Sequence, residues 1–264
     1  MSKNFELNQN YFTYRNNKTT PIVFIHGVGL DRKMWSPQIS YFKNYSTITY
    51  DLLGHGKTPL DKEKVTIKDF SDQLIYLIKY LKLDKVNLVG FSIGSIIALN
   101  FAADYEEKLN SLTLIATTYK RNDRQRQAVI DRVNLAKKNL PISKLALERW
   151  FTDEYLKKNP HIYDEFIKIL TKKSQDQQNF IKAYELFANY QDDIKKIKKI
   201  KTKTLVMTGS NDPGSTPDMS KKLSNDLENS IFQEIKNGKH LCSIECADDV
   251  NMNIKKFIEN AWTK

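Results

Sequence analysis

The sequence predicts an α/β fold, in which helices flank a mostly parallel central sheet and a helical segment is inserted late in the chain. Apolar runs typical of strands buried on both faces alternate with helical segments at βαβ spacing over residues 1–118. Glycine-rich turns directly follow several of these runs. A polar, helical stretch without strand-like runs then precedes two more strands near the end of the chain.

The elements of the first 118 residues follow from their apolar patterns. Residues 6–7 and 11–14 predict an opening hairpin, and the runs at 21–25, 46–50, 85–89 and 112–116 predict strands. Helices are predicted at 34–42, 65–82 and 96–103. The helix at 65–82 is the clearest, because apolar residues recur there at three- and four-residue steps: Ile67, Phe70, Leu74, Leu77, Ile78 and Leu81.

The second half of the chain changes character. Helices are predicted at 123–138, 143–152, 160–172 and 175–190, followed by a lysine-rich connector at 192–203. We interpret 119–201 as a helical cap inserted into a core made of 1–118 and 202–264. The core resumes with a strand at 204–208, a helix at 220–227, a strand at 230–235 and a closing helix at 245–262.

Composition restricts the class of protein. A chain of 264 residues, 40% hydrophobic and 28% charged, suits a soluble globular domain with a full core. No apolar run approaches the roughly 20 residues of a membrane helix, and residues 1–6 lack a signal core, so we expect a cytoplasmic protein without a membrane partner. Cys242 and Cys246 form a single C-x3-C pair, which favours two reduced thiols over a metal site.

The net charge of +11 permits an acidic partner, but its distribution argues against nucleic acid. Lysines are spread along the whole chain, as on a solvated surface. The arginines differ, since five of the seven lie between Arg121 and Arg149. We predict no nucleic-acid partner; steep salt-dependent retention on DNA would contradict this.

A G-x-S-x-G motif, GFSIG at 90–94, lies between a predicted strand and a predicted helix. A sharp turn there lifts the Ser92 hydroxyl clear of the sheet, towards helix N–H groups that suit a developing oxyanion. A side chain at Gly90 or Gly94 would collide with neighbouring backbone. We predict Ser92 as a nucleophile; the alternative is a tight turn in which Ser92 only caps the helix.

A serine nucleophile needs a base and an orienting carboxylate. His240 follows the last strand and Asp212 follows the strand before it, so both stand beyond the carboxyl ends of parallel strands, as Ser92 does. The alternatives are a helix-capping Asp212 and an ordinary loop histidine at 240. The three other histidines are less suitable, because two lie inside glycine turns and one in the predicted cap: His26, His55 and His161.

The motifs together resemble the α/β-hydrolase family over essentially the whole chain. They are HGVG at 26–29, DLLGHG at 51–56, GFSIG at 90–94, DPGSTP at 212–217 and GKHL at 238–241. The resemblance implies an α/β-hydrolase fold with nucleophile Ser92, orienting Asp212 and general base His240. It also implies an oxyanion hole from the backbone N–H groups of Val28 and Ile93, with no metal and no organic cofactor.

Within that fold the chain is most similar to 3-oxoadipate enol-lactonases and related esterases, which also share the segment LERWFT at 147–152. It departs from many of them at Ser95, where they carry glycine. The similarity implies a monomer or homodimer that hydrolyses a small carboxylic ester or lactone through an acyl-enzyme. Two alternatives remain: a C–C bond hydrolase of aromatic ring-cleavage products, and a ligand receptor with negligible turnover.

We predict that Trp150, Arg124 and Trp35 bind the substrate. A bidentate arginine matches a substrate carboxylate, and Arg121, Arg124 and Arg132 have the spacing to share one helix face. The alternative is a solvated helix face. Trp150 and its neighbour Phe151 either line the acyl pocket or fill the core of the cap.

Overall fold

A computed structural model of the chain describes residues 2–138, 143–170 and 175–259. Within these residues eight strands form one sheet. The strands are β1 Lys3–Leu7, β2 Asn10–Arg15, β3 Ile22–Ile25, β4 Thr47–Tyr50, β5 Val86–Phe91, β6 Leu109–Ile115, β7 Thr204–Gly209 and β8 Ser230–Ile235. All the predicted strands are therefore present, with ends shifted by up to three residues.

The order of the strands across the sheet is β1-β2-β4-β3-β5-β6-β7-β8. The strands β1, β2 and β4 pair antiparallel, whereas all the other neighbouring strands pair parallel. From β3 the chain moves outward to β4, and it then returns to place β5 on the other side of β3. The carboxyl ends of β3 and β5 therefore border the point where the strand order reverses, which is where open α/β sheets place their sites.

Helices cover both faces of the sheet. In chain order they are α1 Ser36–Tyr41, α2 Ile67–Tyr80, α3 Ile93–Asp104, α4 Asp123–Lys137, α5 Ser143–Trp150, α6 Asp153–Lys158, α7 Pro160–Leu170, α8 Gln175–Asn189, α9 Ile194–Ile197, α10 Pro217–Asp226, α11 Cys242–Glu245 and α12 Ala247–Ile258. None of the helices in the described ranges is both long and apolar enough to cross a bilayer.

The strand β3 shows why the core has two layers. Val23 and Ile25 belong to a cluster that includes side chains of α2 and α3, whereas Ile22 and Phe24 belong to a second cluster with Trp35 and α12. All four side chains of β3 are fully buried. A strand with both faces covered is a continuous apolar run, and this is the pattern that predicted it.

Helices α4 to α9, here called the inserted helices, all lie between β6 and β7 in the chain. Their position matches the predicted cap, while the domain limits at 119 and 201 stay a prediction. The short helix α6 was not predicted; it begins after Thr152, whose side chain accepts a hydrogen bond from Tyr155 N. The lysine-rich connector contains one further short helix, α9.

Some predicted helix limits are wrong. The predicted helix at 34–42 is divided into a 3₁₀ turn, Arg32–Trp35, and α1. The closing helix, predicted to begin at 245, begins at Ala247 as α12, because Cys246 before it has a non-helical backbone with φ −120° and ψ 45°; the short helix α11 was not predicted. The predicted ends at 171–172 and 260–262 lie outside the described residues.

Candidate active site

The turn at Ser92 is held by its backbone. Ser92 lies between β5 and α3 with φ +55° and ψ −118°, a conformation that residues with a side chain rarely adopt. Its N–H donates to Ile115 O at 2.9 Å, which fixes the turn to β6. The Ser92 side chain makes no capping bond to α3, so the alternative of a merely capping serine is wrong.

The glycines of the motif permit close contacts of the backbone. A Cβ atom at Gly90 would lie 2.4 Å from Gly94 O, and one at Gly94 would lie 2.4 Å from Ile25 O. The predicted collisions are therefore confirmed. At the departure from the family pattern, the buried Ser95 hydroxyl accepts a hydrogen bond from Ile115 N at 3.0 Å and lies 2.6 Å from Gly90 O. The extra side chain thus links α3 to two strands.

Three side chains that are far apart in sequence form one hydrogen-bonded chain. His240 Nδ1 lies 2.7 Å from Asp212 Oδ2, and His240 Nε2 lies 3.3 Å from Ser92 Oγ. Asp212 is buried, and its other oxygen accepts hydrogen bonds from the N–H groups of Gly214 and Ser215 at 2.8 and 2.9 Å. With its proton on Nδ1, the His240 ring has Nε2 free to accept the hydroxyl proton of Ser92.

The loop that carries His240 is fastened on two sides. A Cβ atom at Gly209, the last residue of β7, would lie 2.3 Å from Gly238 O, so the loops that carry Asp212 and His240 are in direct contact. On the other side, the Glu245 carboxylate accepts hydrogen bonds at 2.9 Å from Lys239 N and from Thr152 N. Glu245 is not predictable from the sequence, because no motif signals a contact that spans 93 residues.

The two predicted oxyanion donors lie beside Ser92. A Cβ atom at Gly27 would be 3.5 Å from Ser92 Cβ, which places the HGVG turn against the serine. Ile93 N belongs to the first turn of α3, where helix N–H groups have no partner within the helix. Within the described chain, no acceptor takes up the N–H of Val28 or of Ile93. Both N–H groups are therefore available to a developing negative charge.

The other histidines have different surroundings. His26 Nδ1 lies 2.8 Å from Gly27 O, and its Nε2 accepts a hydrogen bond from Leu52 N at 2.9 Å. Burial lowers the pKa of His26 to about 4, and burial together with the neighbouring His26 lowers the pKa of His55 to about 3. Both rings are therefore neutral, and His26 joins two loops. His161 is exposed on α7.

Ser92 and His240 open onto a cavity of about 200 Å³ between the sheet loops and the inserted helices. The sheet loops contribute Val28, Phe91 and Ser215, among others. The inserted helices contribute a mostly apolar lining, which includes Val129, Trp150 and Phe187. A small, largely apolar organic substrate suits such a lining.

The substrate-binding predictions have mixed outcomes. Trp150 lines the cavity, whereas Phe151 is fully buried with its ring 5.3 Å from that of Tyr155. The predictions for Trp35 and Arg124 are wrong, since neither lines the cavity. Trp35 is fully buried, with its ring 5.0 Å from that of Phe24.

Arg124 is exposed, because other residues form the face of α4 towards the cavity. They are Gln125, Ala128, Val129, Arg132 and Leu135.

The sequence matches a model of a known family. The profile of the alpha/beta hydrolase fold matches residues 20–246, a range that includes Ser92, Asp212 and His240. The chain belongs to the α/β-hydrolase family. The eight-stranded sheet, with helices on both faces and helices inserted after β6, agrees with this membership.

Several similar proteins have the names of hydrolases. The (E)-2-((N-methylformamido)methylene)succinate hydrolase of Acinetobacter baylyi is 30% identical over 266 residues, which covers 98% of both chains. The 3-oxoadipate enol-lactonase 2 of the same organism is 25% identical over 240 residues, 89% of this chain and 87% of that one. The crystal structure of the enol-lactonase from Burkholderia xenovorans LB400 superposes with a TM-score of 0.87 at 22% identity, covering 97% and 100% of the chains; at that identity the likeness concerns the fold.

Proposed function

We propose that this α/β hydrolase cleaves a small carboxylic ester or lactone through an acyl-enzyme formed on Ser92. The observation that carries the proposal is the hydrogen-bonded chain from Asp212 through His240 to Ser92, which ends at the cavity. The names of the two relatives in Acinetobacter baylyi both denote small carboxylic acid derivatives, which supports a substrate of that size.

The proposed reaction has two halves. Ser92 Oγ attacks the carbonyl carbon while His240 Nε2 takes its proton, and Asp212 stabilises the imidazolium that forms. The N–H groups of Val28 and Ile93 donate to the oxyanion of the tetrahedral intermediate. The alcohol leaves with the proton from His240. Water then attacks the acyl-enzyme, again with His240 as base, and Ser92 is released with the product acid.

The replacement of Ser92 by alanine tests the nucleophile. We expect Ser92→Ala to lower kcat/KM for short p-nitrophenyl esters by on the order of 10⁴-fold or more, because the acyl-enzyme cannot form. Circular dichroism should show an unchanged fold. Undiminished turnover by the folded variant would refute the assignment.

A substrate panel separates the proposal from its alternatives. The wild-type protein is assayed with short esters, an enol-lactone and a vinylogous diketone from aromatic ring cleavage. Turnover of the esters or the lactone supports the proposal. Turnover of the diketone alone supports a C–C bond hydrolase, and tight binding without turnover of any of the three supports a receptor.

A further inference from the structure

Three guanidinium groups line the cavity, although most of the lining from the inserted helices is apolar. Arg121 precedes α4, Arg132 lies on α4 and Arg149 lies on α5. Arg121 is only 8% exposed, and the other two are half-buried. Burial of several like charges near one another costs free energy unless partners compensate for it. The cluster therefore requires an explanation beyond a solvated helix face.

The fold provides hydrogen-bond partners for only part of the Arg121 guanidinium. Its Nη2 donates to Phe187 O at 2.7 Å and to Tyr190 O at 3.0 Å, near the C-terminal end of α8, and its guanidinium lies 4.8 Å from the centre of the Phe187 ring. Its Nη1 is buried without a hydrogen-bond partner in the described part of the chain. Buried donors are normally satisfied, so this N–H group is a candidate donor to a bound ligand.

Arg132 and Arg149 share one neighbour. Arg132 Nε donates to the Tyr184 hydroxyl at 3.2 Å, and the same hydroxyl is close enough to Arg149 to raise the pKa of its guanidinium, although burial has the larger effect. Each guanidinium has five N–H donors, so a single shared hydroxyl leaves most of them for a ligand. Among the ion pairs of the described residues, none involves Arg121, Arg132 or Arg149.

The cluster keeps its charge at neutral pH. Burial, and after it the neighbouring Arg126, lowers the pKa of Arg121 to about 10, still far above 7. Burial also lowers the pKa of Arg149, and the positive charge of Arg132 acts in the same direction. An anion in the cavity relieves this mutual repulsion.

We propose that Arg132, which is bonded to Tyr184, and the neighbouring Arg149 form, with support from Arg121, a subsite for a carboxylate group of the substrate. This inference rests on the proposed function of Ser92 and narrows its substrate class. The preferred substrate is then a small ester or lactone with a free carboxylate remote from the scissile bond. The planar guanidinium matches the two oxygens of a carboxylate, and the apolar lining accommodates the short carbon chain between the two groups.

A matched pair of esters tests the subsite. Mono-p-nitrophenyl glutarate carries a terminal carboxylate that p-nitrophenyl pentanoate lacks. Because a hydrogen bond to a charged group is worth roughly ten- to a hundred-fold in affinity, we expect the wild-type protein to prefer the glutarate ester by about that factor in kcat/KM. The double variant Arg132→Gln/Arg149→Gln should lose this preference, because its kcat/KM falls at least ten-fold more for the glutarate ester than for the pentanoate ester.

Two controls separate recognition from bulk charge and from folding. Arg124→Gln removes one charge from the exposed side of α4 and should leave both rates unchanged. Arg149→Lys keeps the positive charge but lacks the planar pair of N–H donors of a guanidinium, and it should retain part of the preference. The proposal is overturned if the wild type shows no preference, if the folded double variant loses both esters equally, or if Arg124→Gln has the same effect as Arg132→Gln.

A binding measurement separates this inference from the proposed function. Calorimetry with Ser92→Ala protein and glutarate should show binding that the two glutamine substitutions weaken at least ten-fold. Arginine-dependent binding of glutarate without hydrolysis of any ester would contradict the proposed function and support the subsite. Hydrolysis of neutral esters together with the absence of arginine-dependent glutarate binding would contradict the subsite alone.

Discussion

The two sides of the cavity differ in how well their polar groups are satisfied. On the sheet side, Asp212 accepts hydrogen bonds from two backbone N–H groups and is bonded to the ring of His240, which in turn reaches Ser92. On the side of the inserted helices, Arg121 keeps a buried N–H group without a partner in the described chain. On the sheet side the Asp212 carboxylate is fully hydrogen-bonded before any ligand arrives, and the open donors are the backbone N–H groups of Val28 and Ile93. On the helix side the open donors belong to charged guanidinium groups.

The difference follows from the elements that build each side. The loops after β5, β7 and β8 are fixed by contacts between backbones, as at Gly94 and Gly209, where a Cβ atom would lie 2.4 and 2.3 Å from carbonyl oxygens. The inserted helices present side chains, which vary without disturbing a hydrogen-bond ladder. This difference supports the proposal that the sheet side carries out the reaction and that the inserted helices select the substrate.

The largest expected effect tests the sheet side. In Asp212→Asn the amide oxygen still accepts from Gly214 and Ser215, but the amide nitrogen donates to His240 Nδ1. The proton of the ring then moves to Nε2, and the protonated Nε2 cannot accept the hydroxyl proton of Ser92. We expect kcat/KM for a short ester to fall by roughly 10³- to 10⁴-fold with the fold intact.

Asp218→Asn is the matched control, because this exposed residue on α10 forms only a surface pair with Lys222. Its activity should equal that of the wild type. Equal activity of Asp212→Asn would mean that the sheet side does not form a working triad.

A smaller effect concerns the free energy of unfolding at acidic pH, which depends on two buried histidines of the sheet side. His26 and His55 have folded pKa values of about 4 and about 3, below the usual value near 6.5. The unfolded chain therefore binds more protons between pH 6.5 and about 4, and the free energy of unfolding should fall by up to about 1.4 kcal/mol per pH unit for each histidine as the pH drops through this window.

Urea unfolding at pH 7, 6, 5 and 4.5 measures this loss. His55→Gln should flatten the pH dependence, whereas His161→Ala, at an exposed position, should not alter it. A free energy of unfolding that stays constant down to pH 4.5 would contradict the buried neutral histidines.

The smallest effect tests the connection between the two sides. Glu245 joins Lys239, the neighbour of His240, to Thr152 between α5 and α6. Glu245→Ala should lower kcat by about ten-fold, because the His240 loop loses one of its two fastenings, and KM should change as the inserted helices shift.

Glu228→Ala, an exposed control, should leave both constants unchanged. The split between kcat and KM separates positioning from a general loss of stability, which would lower the amount of active protein and leave KM as it is. Unchanged kcat and KM in Glu245→Ala would show that the two sides act independently.

The sequence was most informative where backbone geometry restricts the choice of residue. Ser92, Asp212 and His240 each follow a strand, and strand ends are readable from apolar runs and glycines. The sequence was least informative about which side of a helix a given side chain occupies, because this depends on where the helix begins and how it packs. Arg124 was placed in the site and Arg121 and Arg132 were grouped with it, but α4 begins at Asp123 and turns Arg124 to the outside.

By itself, the sequence determined the α/β class, the strands and the residues of the proposed triad, because periodicity and turn chemistry are local properties. Only the tertiary structure decided that Trp35 belongs to the core, that Glu245 joins the His240 loop to Thr152, and that Arg132 donates to Tyr184. The last two contacts join segments 93 and 52 residues apart, and their formation depends on how whole elements pack. A local pattern of residues does not predict that packing.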